Sequence, residues 1–151
     1  MNSIIAAIDP GKTGAIALLY PDMSLYIYDM PIFGKEVAGN ALASIFKEFP
    51  PSHTYIESVN SFGMGRQSAF NFGQGMGVVK GVLSTLEIPY TLVTPAKWKQ
   101  HFRLGRDKDA SRAAATRLFP QMSEKFERKK DDGRAEATLM ALWAKQLGEI
   151  R

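Results

Sequence analysis

The chain has 151 residues, 45% of them hydrophobic, and a formal net charge of +4. That is enough apolar material for one globular domain with a sizeable core, while no apolar run nears the roughly twenty residues that span a bilayer. With no cysteine, disulfides, thiolate metal sites and cysteine nucleophiles are excluded, and the two histidines, His53 and His101, lack zinc-ligand spacing. Any metal must be held mainly by oxygen. The N-terminus enters an apolar run without the basic, apolar and cleavage segments of a secretory leader. An intracellular setting is expected, cytoplasmic or otherwise reducing.

Residues 4–8 are apolar and run into Asp9, followed by Pro10-Gly11-Lys12-Thr13-Gly14 and a second apolar run over 15–20. The pattern predicts a buried strand, a turn and its hairpin partner. Asp9 then sits where a central strand gives out, with Gly11 and Gly14 leaving room beside it. An aspartate that merely starts a turn would also fit this stretch. Pro21-Asp22 leads to a third strand over 25–28, and spacings this short favour an antiparallel meander.

Ala38, Leu42, Ile45, Phe46 and Phe49 recur at helical spacing before Pro50-Pro51, predicting a helix over 38–49. Residues 53–59 return to strand character and carry Glu57 near their end. A helix between this strand and the earlier ones implies a crossover, so the fourth strand should lie parallel to the first. Asp9 and Glu57 would then stand side by side at one edge of the sheet.

The glycine-punctuated stretch 60–67 contains Asn60, Phe62, Met64 and Arg66. A helix over about 68–86 follows, with glycines at 73, 75, 77 and 81. Each interior glycine costs roughly 1 kcal/mol relative to alanine, which predicts close packing on another element or on a second subunit. Residues 90–93 form the last strand. Thr94-Pro95 opens a helix, 107–118 forms another before Pro120, and the final helix spans about 132–147, with Leu139, Leu142, Trp143 and Leu147 on its core side.

Asp132 and Glu136 lie four apart at the start of that last helix and so share a face. Capping and the helix dipole explain Asp131 or Asp132, but Glu136 lies beyond the orphan amides. Asp9, Glu57, Asp132 and Glu136 make an all-carboxylate set suited to hard cations. Two such ions a few ångströms apart serve in-line displacement at phosphate. Residues 97–130 hold eleven Lys/Arg against four Asp/Glu, about +7, leaving about −3 elsewhere. Carboxylates in one part and a basic field in another suit a metal-dependent enzyme acting on a polyanion.

The strand–Asp9–Pro10-Gly11–strand unit, Ile56-Glu57, the run Phe70-Asn71-Phe72-Gly73-Gln74-Gly75-Met76-Gly77 and the acidic start of the last helix resemble RuvC-type Holliday junction resolvases of the ribonuclease H-like superfamily. The resemblance extends in order over residues 4–147. It implies an α/β fold: a five-stranded mixed sheet, three antiparallel strands then parallel ones, flanked by helices. It further implies Mg²⁺ or Mn²⁺, two ions per site with Asp9 bridging them, and a homodimer that cuts four-way DNA junctions by paired symmetric hydrolysis. Asp9 matches the family's first-strand aspartate, Glu57 its fourth-strand glutamate and Glu136 its last acid. The last acid here is Glu, and its partner lies four residues back at Asp132, or five at Asp131, where the bacterial pattern has three. The small size, short loops and this ending point toward a phage or viral member.

Lys97, Lys99 and Lys108 resemble lysines near the scissile phosphate, with Lys108 or Lys99 placed to stabilise developing phosphorane charge. Arg103, Arg106 and Arg112 complete the basic DNA-facing set. The loop with Asn60, Phe62, Met64 and Arg66 corresponds to a segment that approaches the junction centre, where an aromatic could stack on an unpaired base. Alternative readings are a sister nuclease acting on flaps, other branched DNA or RNA–DNA hybrids, and a non-catalytic branched-DNA-binding module.

Overall fold

The computed structural model describes residues 3–150. Its main sheet has five strands, β1 (Ile5–Asp9), β2 (Ala15–Leu19), β3 (Leu25–Asp29), β6 (His53–Glu57) and β7 (Tyr90–Val93), in the order β3-β2-β1-β6-β7. The first three strands form the expected antiparallel meander, and β6 and β7 add in parallel. The register pairs Ile8 with Ile56. Asp9 and Glu57, the next residue on each strand, therefore end adjacent parallel strands at the same edge.

Strand alternation decides which face each residue serves. Ile8, Ile16, Leu18 and Ile56 pack with Leu42, Phe46, Val79 and Leu83 of α1 (Gly39–Glu48) and α2 (Arg66–Thr85). Ala7, Ala15, Ala17 and Tyr55 face the other way, toward Ala135, Leu139 and Ala141 of α5 (Asp132–Ile150) and toward α3 (Pro95–His101) and α4 (Lys108–Leu118). Alanines on both surfaces let α5 approach the sheet closely. Asp9 and Glu57 share parity with Ala7 and Tyr55, so both carboxylates project to the α5 side.

Several boundaries differ from expectation. The chain forms a small hairpin, β4 (Ile32–Phe33) with β5 (Glu36–Val37), turning at Gly34 with φ +63°. Two-residue strands carry too little alternation to register in a sequence pattern. β6 stops at Glu57 rather than continuing to 59, and α2 begins at Arg66. Residues 120–131 form two short 3-10 turns leading into α5. Of the four glycines expected to pack in α2, only Gly75 does so: a Cβ there would lie 3.2 Å from Val37 Cγ2 of the hairpin, whereas Gly73, Gly77 and Gly81 border open space. Among the described residues, no helix is long and apolar enough to cross a membrane.

Candidate metal centre

Asp9, Glu57 and Glu136 converge: one carboxylate oxygen from each lies within 4.8 Å of the others. β1 and β6 deliver the first two from a paired register, and α5 brings Glu136 across the sheet from its second turn. Two glycines permit this meeting. A Cβ on Gly14 would fall 1.8 Å from the Asp9 carbonyl oxygen, so the turn after β1 can fold back only with glycine there. A Cβ on Gly133 would come within 2.7 Å of the Thr13 carbonyl oxygen and 3.3 Å of Asp9 Oδ2. Gly133 thus lets the first turn of α5 lie directly against that loop.

Three like charges in a partly desolvated space repel, and the site carries the signature of that conflict. Burial, then the neighbouring Glu57 and Glu136, raise the Asp9 carboxyl well above the usual aspartate range. Burial and Glu136 push Glu57 up to about 7. Trp98, Lys99 and Lys108 oppose these effects. The indole N–H of Trp98, fully buried on α3, donates to Glu57 Oε2 at 3.2 Å. The Lys108 ammonium lies 3.2 Å from Asp132 Oδ2 and 3.6 Å from Glu136 Oε1. Burial works against the Lys108 charge, but Glu136, Asp132 and Asp9 outweigh it and raise the ammonium above its ordinary value. One ammonium does not balance four carboxylates. An all-oxygen, net-negative cluster of this kind fits a divalent hard cation, and Asp9, Glu57 and Glu136 could coordinate one.

Of the acids at the start of α5, Glu136 alone belongs to that converging set; Asp132 meets it only through the Lys108 ammonium, and Asp131 is held elsewhere. Asp131 is buried one residue away and accepts from the Arg128 backbone N–H (2.9 Å) and guanidinium (2.9–3.2 Å), with Arg134 Nη1 at 3.5 Å. Those bonds hold its carboxyl below the usual range despite burial. Arg134 also grips Asp29, at the end of β3, through Nε (2.8 Å) and Nη2 (2.9 Å). The result is a clamp from β3 to the start of α5.

On the elements that follow β7, Lys97, Arg103 and Arg106 are exposed, and Lys99 Nζ lies 5.5 Å from the Trp98 ring centroid. Arg112 is engaged internally: it pairs with Asp109 and donates to the carbonyls of Phe126 (3.3 Å) and Glu127 (2.8 Å). It braces α4 against the following turns. In the loop before α2, Asn60 Oδ1 accepts from the Phe62 N–H at 3.0 Å, and the Phe62 ring is 90% exposed. Met64 and Arg66 are exposed beside it. Phe70 is also exposed, while Phe72 is half-buried against Gly11. The two histidines bond to Thr91 and Gln146, away from the carboxylates.

Trp98, Gly133 and the Arg134 clamp escape a reading by residue type. One signal pointed to Trp98: an indole flanked by lysines in a short helix, with an N–H that needs an acceptor once buried.

Neither a protein-family model nor a curated protein sequence matches the chain. Solved structures do. Thermus thermophilus RuvC in complex with a Holliday junction substrate aligns with a TM-score of 0.65 at 16% identity, over 97% of this chain and 96% of that one. This is the RuvC-type fold. The fowlpox virus Holliday junction resolvase shares it at TM-score 0.59 and 15% identity, over 95% of this chain and 99% of its own. The yeast mitochondrial Holliday junction resolvase Ydc2 aligns at 0.54 and 16%, over 97% of this chain and 81% of its own. At these identities the likeness establishes the ribonuclease H-like architecture, and the carboxylates lie at the edge where the two halves of its sheet meet.

Proposed function

We propose that the protein is a divalent-metal-dependent endodeoxyribonuclease that resolves four-way DNA junctions by paired phosphodiester hydrolysis. The observation that carries this reading is the convergence of Asp9, Glu57 and Glu136 on a RuvC-type fold, with exposed basic residues on the elements that follow β7. Asp9, Glu57 and Glu136, with Asp132 beside them, would hold Mg²⁺ or Mn²⁺, two ions per site. A metal bound there would supply an activated water and neutralise the leaving oxygen.

The chain's own groups do the rest. Glu57 is oriented by the hydrogen bond that its Oε2 accepts from the Trp98 N–H. Lys108 is anchored by Asp132 and Glu136 and exposes 63% of its side chain, which suits it to meet the charge that develops on the phosphate oxygens. Lys97, Lys99, Arg103 and Arg106 position the backbone, and the loop carrying Asn60, Phe62, Met64 and Arg66 contacts the branch point, with Phe62 stacking on an unpaired base. A homodimer supplies the second cut. The open face of α2 bearing Phe70, Gly73, Gly77 and Gly81 is available for that contact.

The test is a panel of fixed and mobile four-way junctions, linear duplex, flap and RNA–DNA hybrid, each with Mg²⁺, Mn²⁺ or chelator. Paired symmetric nicks confined to the junctions and abolished by chelator are expected. Equal cutting of flap or hybrid would move the protein to a sister nuclease, and tight binding without cleavage would make it a binding module.

A further inference from the structure

β3 is the outermost strand on one side of the sheet, and among the described residues no strand pairs with its outer edge. The hydrogen bonds to β2 show which groups are left there. Tyr20 N–H donates to the Ser24 carbonyl at 2.9 Å and Met30 N–H to the Gly14 carbonyl at 3.0 Å, so both couples are bonded pairs of the antiparallel ladder. Bonded pairs recur at every second residue, which turns the main-chain groups of Tyr26 and Tyr28 toward β2. The N–H and C=O groups of Leu25, Ile27 and Asp29 therefore point outward, and among the described residues no other main-chain group meets them. Free edges are normally blunted by lysine, proline or a bulge. Leu25-Tyr26-Ile27-Tyr28-Asp29 has neither residue, and its register with β2 runs one to one throughout.

One face of this edge is aromatic and acidic. Tyr26 is 49% exposed. Its ring stacks on Phe49, just past α1, with centroids 6.3 Å apart and planes 10° apart, and meets Tyr20 edge-on at 5.4 Å. Tyr28 lies 6.3 Å from the same Phe49 ring. Burial, then Tyr26, Tyr28, Asp22 and Glu48, raise the Tyr20 hydroxyl above its ordinary value, so both carboxylates act on the ring cluster. Lys47 is the exposed cation beside Glu48 in the last turn of α1. Aromatic faces next to carboxylates attract an ammonium or a guanidinium. The same carboxylates repel phosphate, which disfavours nucleic acid here. The patch is also remote from the metal centre. Ala15 pairs with both Asp9 and Asp29, whereas Tyr20 lies five residues further along β2, roughly 16 Å away.

We propose that the outer edge of β3 docks an extended segment of a partner protein, alternately basic and apolar, which joins the sheet as a sixth strand. Its main chain bonds to Leu25, Ile27 and Asp29, as in other cases of strand addition. One row of its side chains lies beside Tyr26 and Tyr28 and carries arginine or lysine. The other row lies beside half-buried Ile27 and is apolar. The inference goes beyond the nuclease reading and stands independently of it.

The test titrates the full isotope-labelled chain with the peptide acetyl-Thr-Val-Arg-Val-Arg-Val-Thr-amide and follows amide hydrogen exchange by NMR. Near saturation, exchange at Leu25, Ile27 and Asp29 is expected to slow severalfold, while Tyr26 and Tyr28, already bonded to β2, stay unchanged. Glutamate in place of both arginines should weaken binding about tenfold. Proline in place of the central valine removes an N–H that bonds to β3 and should abolish binding. Tyr26→Lys gives the edge the guard it lacks and should remove the protection, whereas Tyr26→Phe keeps the ring and should retain it. No binding of the arginine peptide, equal binding of the glutamate peptide, or binding without protection at alternate residues would overturn the proposal. Peptide-free protection of the same amides that grows with protein concentration would assign the edge to a second copy and overturn it as well.

Discussion

Glu57 shows how one residue records the purpose of its surroundings. A glutamate at 6% exposure, beside two other acids, titrates near 7 in the folded chain against about 4.5 when exposed. Because its folded value is raised, the folded state holds this proton more tightly than the unfolded state does. The associated stability is present below pH 4.5 and is lost as pH rises through 7. Metal-free protein should therefore lose on the order of 3 kcal/mol between those limits from this group. Urea titrations near pH 5 and pH 7.5 would measure the loss, and Mn²⁺ added at pH 7.5 should restore it; a flat profile would contradict the account. Trp98→Phe keeps most of the ring's bulk but removes the donor to Glu57 Oε2. It should weaken Mn²⁺ binding by about tenfold, as loss of a bond to a metal ligand commonly does. Calorimetric titration with Mn²⁺ would show it.

At the scale of elements, the start of α5 decides whether the centre forms. Gly133 lets that turn touch the loop after β1, and Arg134 ties it to β3 through Asp29 while bracing Asp131. Arg134→Ala should cost about 2 kcal/mol through its charged hydrogen bonds and should weaken Mn²⁺ binding as well, measured by denaturation and by calorimetric titration on the same sample. A stability loss with unchanged Mn²⁺ affinity would limit the clamp to folding. Much of this level was legible in the sequence. Apolar runs and turn residues placed the meander, and the crossover placed β6 parallel to β1, with Asp9 and Glu57 side by side at one edge. The four-residue spacing singled out Asp132 and Glu136. Local pattern could not reveal the β4–β5 hairpin, whose strands are too short to alternate, nor the pairing of Asp131, which depends on Arg128 and Arg134 three residues to either side of it. The internal bonds of Arg112 were illegible for the same reason: its partners are carbonyls fourteen and fifteen residues away.

For the whole molecule, charge is divided rather than balanced. Residues 97–130 carry eleven Lys/Arg against four Asp/Glu, while the sheet edge concentrates acids. This division should give DNA affinity a steep salt dependence. If about four phosphates are neutralised, log Kd should rise with log salt at a slope of roughly 3 to 4. Replacing both Lys97 and Arg103 by alanine should lower that slope by about one to two without abolishing cleavage. Fluorescence anisotropy across a salt series would test both statements, and a salt-independent Kd would remove the basic segment from the interface.

On the proposed function, the converging carboxylates cut branched DNA with a divalent metal. The most direct measurement compares wild type and Asp9→Asn on one fixed four-way junction with Mg²⁺, at protein concentrations giving equal bound fractions. Paired nicks at symmetric positions are predicted for wild type, slowed about a thousandfold or more in Asp9→Asn while junction affinity is kept. Cleavage by Asp9→Asn at a rate near that of wild type would contradict the account.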